Sequence, residues 1–529
     1  MRSTVPLARP GLLLACVLAG VLAIAAAQLV PGGPVVLFVV AVAALVALGA
    51  RFEFENLVVA FIWSTSLVHL GKRAIFVTGP QPRYAYYAVV FLPTLLLAIT
   101  VARCPGRRRG SVLPGAAVLL GLLAIVATVA TLAGPGVPVF ARLASLNDRV
   151  VPMAGLLMGL AMPLGSRGFG RATRAIVLSA VATVPYGVVQ LVTGPGPIER
   201  AWAANTADYS IEAQKIVGYI NRAPGSDWRP FSYHADSLTW GLFLLVALGV
   251  TLANSRAPEG TKVRLPAAAM PMLLVGLFAT FSRTPWLGAL GMVGAFSLLR
   301  WHSTRRPALL LAALLATFAI GISLGGYLYT KVFPQVNSKV STSNQAEARY
   351  LNLGTFQARL GAWSDLTKDL ARYPAIGAGY GRLELASQRF GKVVGGDPGG
   401  HNLLVETVVA LGAPGLVLLL AFFGALFSAG LRSPPQLEGT SRWLVALIFG
   451  LFVTGYANVG VFLDANFFLV CGAVSAISVG TWRAPGRSQP DQAPSTGMSP
   501  AMRPGHAGRP TSEGGRQQIR HMNSGLTRK

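Results

Sequence analysis

Charged residues are scarce in this sequence: Asp, Glu, Lys and Arg make up 12% of its 529 residues, whereas hydrophobic residues make up 53%. The mean hydropathy is correspondingly high, at +0.55. Soluble domains carry about 25% charged residues, so this composition excludes a soluble globular protein of this length. The sequence therefore predicts an all-α polytopic membrane protein that is embedded in the lipid bilayer.

Acidic residues are the scarcer charged type, with 19 Asp and Glu against 45 Lys and Arg and a formal net charge of +26. The basic residues fall in short clusters between apolar runs and in the C-terminal tail, which indicates topology signals and contacts with anionic lipids. A nucleic-acid partner is therefore not expected. The predicted outer loops contain no Asp-x-Asp or Asp-Glu pair suited to a divalent cation, so we expect no metal site. No cofactor is expected either.

Cysteine is also rare. The three cysteines, Cys16, Cys104 and Cys471, lie inside or beside predicted spans, and the sequence contains no CxxC motif. Disulfide bonds and zinc binding are therefore not expected.

Long apolar runs predict about 14 transmembrane helices, within a range of about 12 to 14. The first run, Gly11 to Val30, is longer than a usual signal core and is followed almost at once by a second, so we expect an uncleaved first helix. The other predicted spans are Pro34 to Ala50, Asn56 to Leu70, Ala85 to Ala102, Val112 to Ala133, Val150 to Leu164, Ala175 to Thr193, Ser237 to Ala253, Pro266 to Phe281, Pro285 to Leu299, Ala308 to Tyr327, Asn402 to Ala429, Trp443 to Asn458 and Asn466 to Trp482.

The basic residues predict which side of the membrane each loop faces. With a cytoplasmic N-terminus, alternation of the spans puts the short basic loops and the C-terminus in the cytoplasm. One loop departs from this rule, because Gly71 to Tyr84 carries Lys72, Arg73 and Arg83 but falls on the outer side.

Three segments are too long to be simple connections. Gly194 to Asp236 and Leu328 to Gly400, the latter before the twelfth span, fall on the outer side, and long loops are disproportionately functional. Arg483 to Lys529 is rich in Pro, Gly, Ser and Arg, which predicts a disordered basic cytoplasmic tail.

Three histidines fall on or near the outer side. His401 and Asn402 join the long outer segment directly to an apolar helix, so His401 is expected at the membrane surface. There its imidazole can take a proton from a hydroxyl; the alternative is a polar residue that begins a span without catalytic duty. His69, at the end of a predicted span, is better interpreted as a polar anchor at the membrane interface. For His234, in the stretch Arg229 to Asp236, substrate binding and an ordinary loop hydrogen bond are equally open.

Several arginines also point to the outer surface. Arg283 stands in a very short turn between two apolar runs. A guanidinium at membrane depth is costly unless an anion meets it, which makes Arg283 a candidate functional residue; snorkelling to the lipid head groups is the alternative. Arg229 begins the outer end of another span, and Arg359 and Arg382 lie in the large outer loop. Because guanidinium groups bind phosphate oxygens bidentately, these arginines would suit a lipid pyrophosphate.

These residues resemble the shared region of the O-antigen ligase and O-antigen polymerase superfamily of bacterial envelope glycosyltransferases. That region reads as Ser-Arg between two spans, an outer loop with Arg and Trp, a Pro-x-x-Gly-x-Gly segment, and His-Asn entering a helix that ends in Gly-x-x-Gly-Leu. The matching residues, in this order, are Ser282, Arg283, Arg359, Trp363, Pro374, Gly377, Gly379, His401, Asn402, Gly412, Gly415 and Leu416. The resemblance divides the chain into N-terminal transmembrane helices at 1–228, a ligase-like region at 229–482 with its outer loop at 328–400, and the tail at 483–529.

The resemblance implies a GT-C-like fold and a metal-independent transfer of a glycan from undecaprenyl pyrophosphate to an acceptor hydroxyl, on the outer face of the plasma (inner) membrane. His401 would be the general base, and Arg283 and Arg229 would hold the pyrophosphate. The further substrate-binding candidates are Arg359, Asn402, His234, Arg382 and Glu406. Members commonly carry an acidic residue where this chain has Ala410, and Glu406, one helical turn earlier, is the candidate substitute.

The acceptor separates the activities within the superfamily. A ligase transfers a finished glycan to a lipid-anchored core sugar, a polymerase transfers a growing chain to another lipid-linked repeat, and a protein O-oligosaccharyltransferase glycosylates Ser or Thr. We expect a ligase or a polymerase ahead of the third activity. The alternative from another class is a multi-span transporter such as a lipid-linked oligosaccharide flippase, against which the long outer loop and the lack of an internal repeat argue.

Overall fold

The computed structural model of the protein describes residues 51–77, 83–105, 113–134, 137–207, 211–221, 229–234, 236–300, 375, 377–380, 403–457 and 464–479. Over these residues the regular structure is helical and contains no strand. The predicted all-α class is therefore confirmed for this part of the chain. The first, second and eleventh predicted spans lie outside the described residues.

We number the helices along the described residues. They are α1 (Phe54–Ala74), α2 (Arg83–Ala102), α3 (Gly115–Ala133), α4 (Val139–Arg149), α5 (Gly155–Ala161), α6 (Arg167–Thr193), α7 (Pro197–Thr206), α8 (Ile211–Ile220), α9 (Ser237–Ser255), α10 (Ala269–Ala279), α11 (Arg283–Leu299), α12 (Leu403–Leu431), α13 (Glu438–Ala457) and α14 (Ala465–Ser475). Short 3₁₀ turns lie at Val151–Ala154, Pro435–Leu437 and Ala476–Val479.

Within the described residues, 6 helical stretches are long and apolar enough to cross a membrane. They are Phe54–Ala74, Gly115–Ala133, Arg167–Thr193, Ser237–Ser255, Leu403–Leu431 and Pro435–Gly455. Leu92–Ala102, Ala269–Ala279 and Ala465–Ser475 are apolar but shorter. This arrangement agrees with a polytopic membrane protein, and the short third predicted span is present as α1, with 21 residues.

One predicted span differs from the structure. Where the sequence predicts a single span from Val150 to Leu164, a 3₁₀ turn that contains Pro152 precedes α5, which has 7 residues and ends shortly before Pro163. A helix rises about 1.5 Å per residue, so α5 alone is too short to cross the hydrocarbon core. Both prolines limit it, because a proline cannot donate the hydrogen bond that would continue the helix.

Helices also occur where the sequence predicts connections. The helix α4 lies between the fifth and sixth predicted spans, and α7 and α8 lie inside the segment Gly194 to Asp236. Proline begins α7, as is common at the first helical position. The segment Gly194 to Asp236 is therefore partly ordered as two short helices.

Small residues allow the helices to approach closely. A Cβ at Gly159 of α5 would overlap the Leu469 carbonyl oxygen of α14, and a Cβ at Gly450 of α13 would overlap the Gly288 carbonyl oxygen of α11. Backbone approach at small residues is a common form of helix packing in membranes. These contacts fix the α5–α14 and α11–α13 pairs.

Contacts near the helix termini define one end of the bundle. The helices α9 and α11 begin side by side, because a Cβ at Gly241 would overlap the Pro285 ring. The start of α11 packs against the C-terminal half of α13, because a Cβ at Gly288 would overlap Thr454 Oγ1. The helix α12 begins beside the last turns of α13, where a Cβ at Gly455 would lie 3.0 Å from Leu403 Cδ2. The N-termini of α9, α11 and α12 therefore share one end, which we call the Arg283 end.

Other helices place their termini at the same two ends. At the start of α14, Asn466 Nδ2 donates a hydrogen bond to Thr65 Oγ1, in the C-terminal half of α1, at 3.3 Å. At the other terminus of α1, Glu55 Oε2 pairs with Arg171 Nη1 of α6 at 2.6 Å. Near the C-termini of α1 and α6, Arg73 Nη1 donates to the Ser232 carbonyl and Gln190 Oε1 accepts from Ser232 N, shortly before α9. The C-termini of α1 and α6 therefore lie toward the Arg283 end, and their N-termini lie at the opposite end.

Residues 377–379, which carry both glycines of the Pro-x-x-Gly-x-Gly motif, pack on a break in α12. Gly412 interrupts this helix with a φ of 68°. Pro414 has no N–H to donate to the carbonyl four residues earlier, that of Ala410. Instead, Gly379 N donates to the Ala410 carbonyl and Ala378 N donates to the Val409 carbonyl, both at 2.9 Å. The loop thus supplies donors that the broken helix lacks.

We predict that Gly412→Ala destabilises the protein strongly. Its φ lies in the left-handed region, which costs a non-glycine residue about 1–2 kcal/mol, and the new Cβ would also overlap the Ala375 carbonyl oxygen. The thermal midpoint in detergent measures the loss. The matched control is Gly424→Ala on the same helix, where a Cβ meets nothing within 4 Å. Equal midpoints for both variants would contradict the prediction.

Candidate functional site

Arg283 is the first residue of α11, and a tight turn places it there. Phe281 has a positive φ of 49°, which is rare for a bulky residue. Ser282 N donates a hydrogen bond to Thr280 Oγ1 at 3.1 Å. Arg283 is partly exposed, and the first turn of its helix contains no acidic residue. A guanidinium and the N–H groups of a helix N-terminus both attract anions, so this turn is suited to a phosphate group.

The segment that carries Arg229 reaches the same end. Residues 229–234 precede α9, and Gly241 in the first turns of α9 contacts Pro285 of α11. Arg229 itself is exposed. The structure therefore brings the segments of two predicted pyrophosphate residues, Arg229 and Arg283, to one end of the bundle.

His234 lies in the same segment but is buried, with 4% of its surface exposed. Its ring lies 5.0 Å from the Phe243 ring, and its carbonyl oxygen accepts a hydrogen bond from Arg73 Nη2. Burial, together with the charge of Arg73, lowers the pKa of His234 to about 3, so the imidazole is neutral at neutral pH. This burial favours a role within the protein over direct contact with a substrate.

The basic loop that departs from the positive-inside rule has a structural explanation. Lys72 and Arg73, at the C-terminal end of α1, are both buried. Arg73 Nη1 lies 3.9 Å from Glu199 Oε1 of α7, and neither side chain is exposed. The guanidinium also lies 5.3 Å from the Trp202 ring. These charges are engaged inside the protein, so they do not report which side of a membrane the loop faces.

Glu406 lies in the first turn of α12 and is buried. Its Oε2 lies 3.5 Å from Arg149 Nη2, at the C-terminal end of α4. The Arg149 guanidinium lies 5.8 Å from the Tyr380 ring centroid. Burial raises the pKa of Tyr380 to about 12, so its hydroxyl keeps its proton at neutral pH. Glu406 therefore connects the start of α12 to a helix from the N-terminal half of the chain.

Ala410 and Glu406 lie in different surroundings. Ala410 is fully buried, with its carbonyl bonded to Gly379 N. A carboxylate at that position would be placed in the hydrophobic core, whereas Glu406, one turn earlier, meets Arg149. Sequence reasoning missed Arg149 because α4 reads as a connection between spans; the signal available was one arginine beside the predicted span Val150 to Leu164.

Four of the predicted site residues, His401, Asn402, Arg359 and Arg382, lie outside the described residues. Asn402 directly precedes Leu403, which begins α12 at the Arg283 end. Among the described residues, no group of three or more His, Cys, Asp or Glu side chains is placed to hold a metal ion.

Comparison with known families gives one match. Residues 268–420 match the family model described as O-antigen ligase. The resemblance to the O-antigen ligase superfamily is confirmed. No curated protein matches the chain. This match supports a membrane glycosyltransferase-like function in surface polysaccharide assembly. The matched region contains Arg283 and Glu406, whereas the partners Arg73, Arg149 and Glu199 all precede it.

We predict that His234→Gln removes part of the pH dependence of stability. The pKa of His234 is about 3 in the folded protein, whereas an unfolded histidine titrates near 6.5, so the unfolded state binds the proton first as the pH falls. The contribution of neutral His234 to the free energy of unfolding is fully present above about pH 6.5 and is lower by about 2 kcal/mol at pH 5. Thermal midpoints between pH 7 and pH 5 measure the difference.

The matched control is Phe243→Leu, which disturbs the same packing but keeps the imidazole. We expect this variant to keep the wild-type slope of midpoint against pH. A His234→Gln slope as steep as that of the wild type would contradict the prediction.

Proposed function

We propose that this protein transfers a glycan from undecaprenyl pyrophosphate to an acceptor hydroxyl at the outer face of the plasma (inner) membrane. The observation that carries the proposal is Arg283 at the N-terminus of α11, at the bundle end where the segment of Arg229 also enters. A guanidinium beside a helix N-terminus suits a pyrophosphate, whose negative charge grows as it leaves. The superfamily match supports glycan transfer as the reaction.

In the proposed reaction, the acceptor oxygen attacks the anomeric carbon of the donor glycan. His401 accepts the hydroxyl proton, and the bond between the anomeric carbon and the pyrophosphate oxygen breaks, so that the pyrophosphate leaves on its lipid. Arg283 and Arg229 stabilise the charge that develops on the leaving group. Attack opposite the leaving group inverts the anomeric configuration.

The remaining polar residues fit supporting roles. Arg359, Arg382 and Asn402 are proposed to contact the donor or acceptor. Glu406 is proposed to act through Arg149, because their ion pair holds the first turn of α12, directly after His401 and Asn402, against α4. No metal ion is needed in this scheme, because the arginines supply the positive charge.

The charge distribution supports an outward orientation of the Arg283 end. The opposite end carries many basic residues in its turns and helix termini, which is typical of cytoplasmic loops. They include Arg103, Arg167, Arg171, Arg174, Arg256, Lys262, Arg264, Arg300 and Arg432. The buried pairing of Arg73 with Glu199 removes the main exception to this rule. The acceptor is a glycan or glycolipid: a lipid-linked repeat for a polymerase, or a lipid-anchored core sugar for a ligase.

We predict that His401→Ala lowers glycan transfer by about 10²- to 10⁴-fold, because a general base contributes a factor of this size. Transfer is measured by incubating the purified protein with a lipid-linked glycan and candidate acceptors and sizing the products on a gel. The control is His302→Ala, in a segment predicted to be cytoplasmic, which should keep full activity. Full activity of membrane-inserted His401→Ala would disprove the general-base assignment.

We predict that Arg283→Lys lowers transfer by about 10- to 100-fold. Lysine keeps the charge but cannot make the bidentate contact with phosphate oxygens. The same gel assay measures the loss, with Arg300→Lys at the other terminus of α11 as the matched control. Arg300→Lys should retain wild-type activity. Wild-type turnover of Arg283→Lys would remove the argument for a phosphate clamp.

A further inference from the structure

One buried arginine holds the segment 229–234 by its main chain. Arg73 Nη1 donates a hydrogen bond to the Ser232 carbonyl at 3.1 Å, and Nη2 donates to the His234 carbonyl. The Phe231 ring lies 4.1 Å from the guanidinium. Because one rigid, planar group binds two carbonyls of the segment and packs on its aromatic ring, it fixes both the position and the direction of the chain.

Gln190 of α6 binds the main-chain N–H groups of the same segment. Its Oε1 accepts hydrogen bonds from Phe231 N at 3.1 Å and from Ser232 N at 2.8 Å. Ser232 Oγ also donates to the Thr183 carbonyl at 2.5 Å. Ser232 has a positive φ of 50°. A conformation of this kind costs about 1–3 kcal/mol and persists only where its surroundings over-determine it.

Glu199 completes the network and balances its charge. The carboxylate lies 3.9 Å from Arg73 Nη1 and accepts hydrogen bonds from Tyr186 Oη at 2.8 and 2.9 Å and from Gln190 Nε2 at 3.2 Å. Gln190 therefore binds Glu199 with its nitrogen and the segment with its oxygen. Burying such a pair often adds little stability compared with apolar residues of the same volume, so stability alone does not explain this network.

The geometry points to Arg73 and Glu199 as positioning residues for the glycan-transfer site, holding the 229–234 segment so that Arg229 meets the pyrophosphate beside Arg283. This inference rests on the proposed function. Arg73 has no exposed surface and cannot touch a lipid-linked substrate, so it acts through the segment that it binds. Arg229 stands two residues before Phe231, and the segment continues into α9 beside α11.

The test is the double variant Arg73→Met with Glu199→Gln. It removes both buried charges together, so neither is left unpaired, and we expect a thermal midpoint within a few degrees of the wild type. It also removes the two hydrogen bonds to the Ser232 and His234 carbonyls. We expect faster hydrogen exchange in a peptide covering residues 229–234, and a KM for the lipid-linked donor that rises about tenfold with a smaller change in kcat.

A coupling measurement separates positioning from a general structural role. If Arg73 and Glu199 act through Arg229, the loss of transfer caused by Arg229→Gln should be much smaller in the double-variant background than in the wild type. The matched control is Arg200→Met on α7, whose exposed side chain bonds the Pro195 carbonyl outside the network. It should show wild-type exchange and kinetics.

Each outcome distinguishes a positioning role of Arg73 and Glu199 from a general structural role. Unchanged exchange at 229–234, or an unchanged donor KM together with an additive Arg229→Gln effect, would overturn the inference. If the double variant does not fold, Arg73→Lys takes its place, because lysine keeps the charge pair but loses the fixed two-carbonyl contact; a raised donor KM supports the inference and a wild-type KM overturns it. Hydrogen exchange needs no substrate. A wild type without transfer activity would therefore refute the proposed function, while the effect of Arg73 and Glu199 on residues 229–234 would still be measurable.

Discussion

The guanidinium of Arg73 has no exposed surface, and the cost of burying that charge constrains the elements around it. A carboxylate must come close, which brings α7 to the end of α1 through Glu199. Main-chain carbonyls must accept hydrogen bonds from N–H groups of the guanidinium, which fixes the segment before α9 through Ser232. Gln190 then bridges both partners from α6. Four parts of the N-terminal half are thereby held to one another at the end of the bundle where Arg283 lies.

A second constraint comes from the main chain of α12. The positive φ of Gly412 and the missing N–H of Pro414 leave carbonyls of the preceding turn without helical donors, and the loop at Gly377 and Gly379 supplies N–H groups to them. Two separate glycine motifs of the superfamily thus act together as one packing contact. Glu406, one turn earlier than this contact, reaches Arg149 on α4. The matched region is therefore completed by residues that precede it in the chain.

These two constraints meet at the same end of the bundle, and together they explain why basic residues there differ in role. Arg73 and Arg149 are engaged by carboxylates of the protein, whereas Arg229 is exposed and Arg283 stands at a helix N-terminus without an acid in its first turn. The pairs formed by Arg73 and Arg149 organise the fold. Arg283, at the N-terminus of α11, is proposed to meet an external anion, which in the proposed reaction is the lipid pyrophosphate.

The sequence by itself determined the membrane class, the positions of most long helices and the resemblance to the O-antigen ligase superfamily, because apolar length and ordered short motifs are local properties of the chain. It also identified Arg283 as a candidate functional residue, since an arginine in a short turn between two membrane spans is unusual. The tertiary structure decided the partners: the pairing of Arg73 with Glu199 and of Arg149 with Glu406 joins residues far apart in the sequence, and no local pattern encodes such a contact. It also decided that His234 is buried, because packing of α1 and α9 around a short loop, rather than the loop's own composition, controls its exposure.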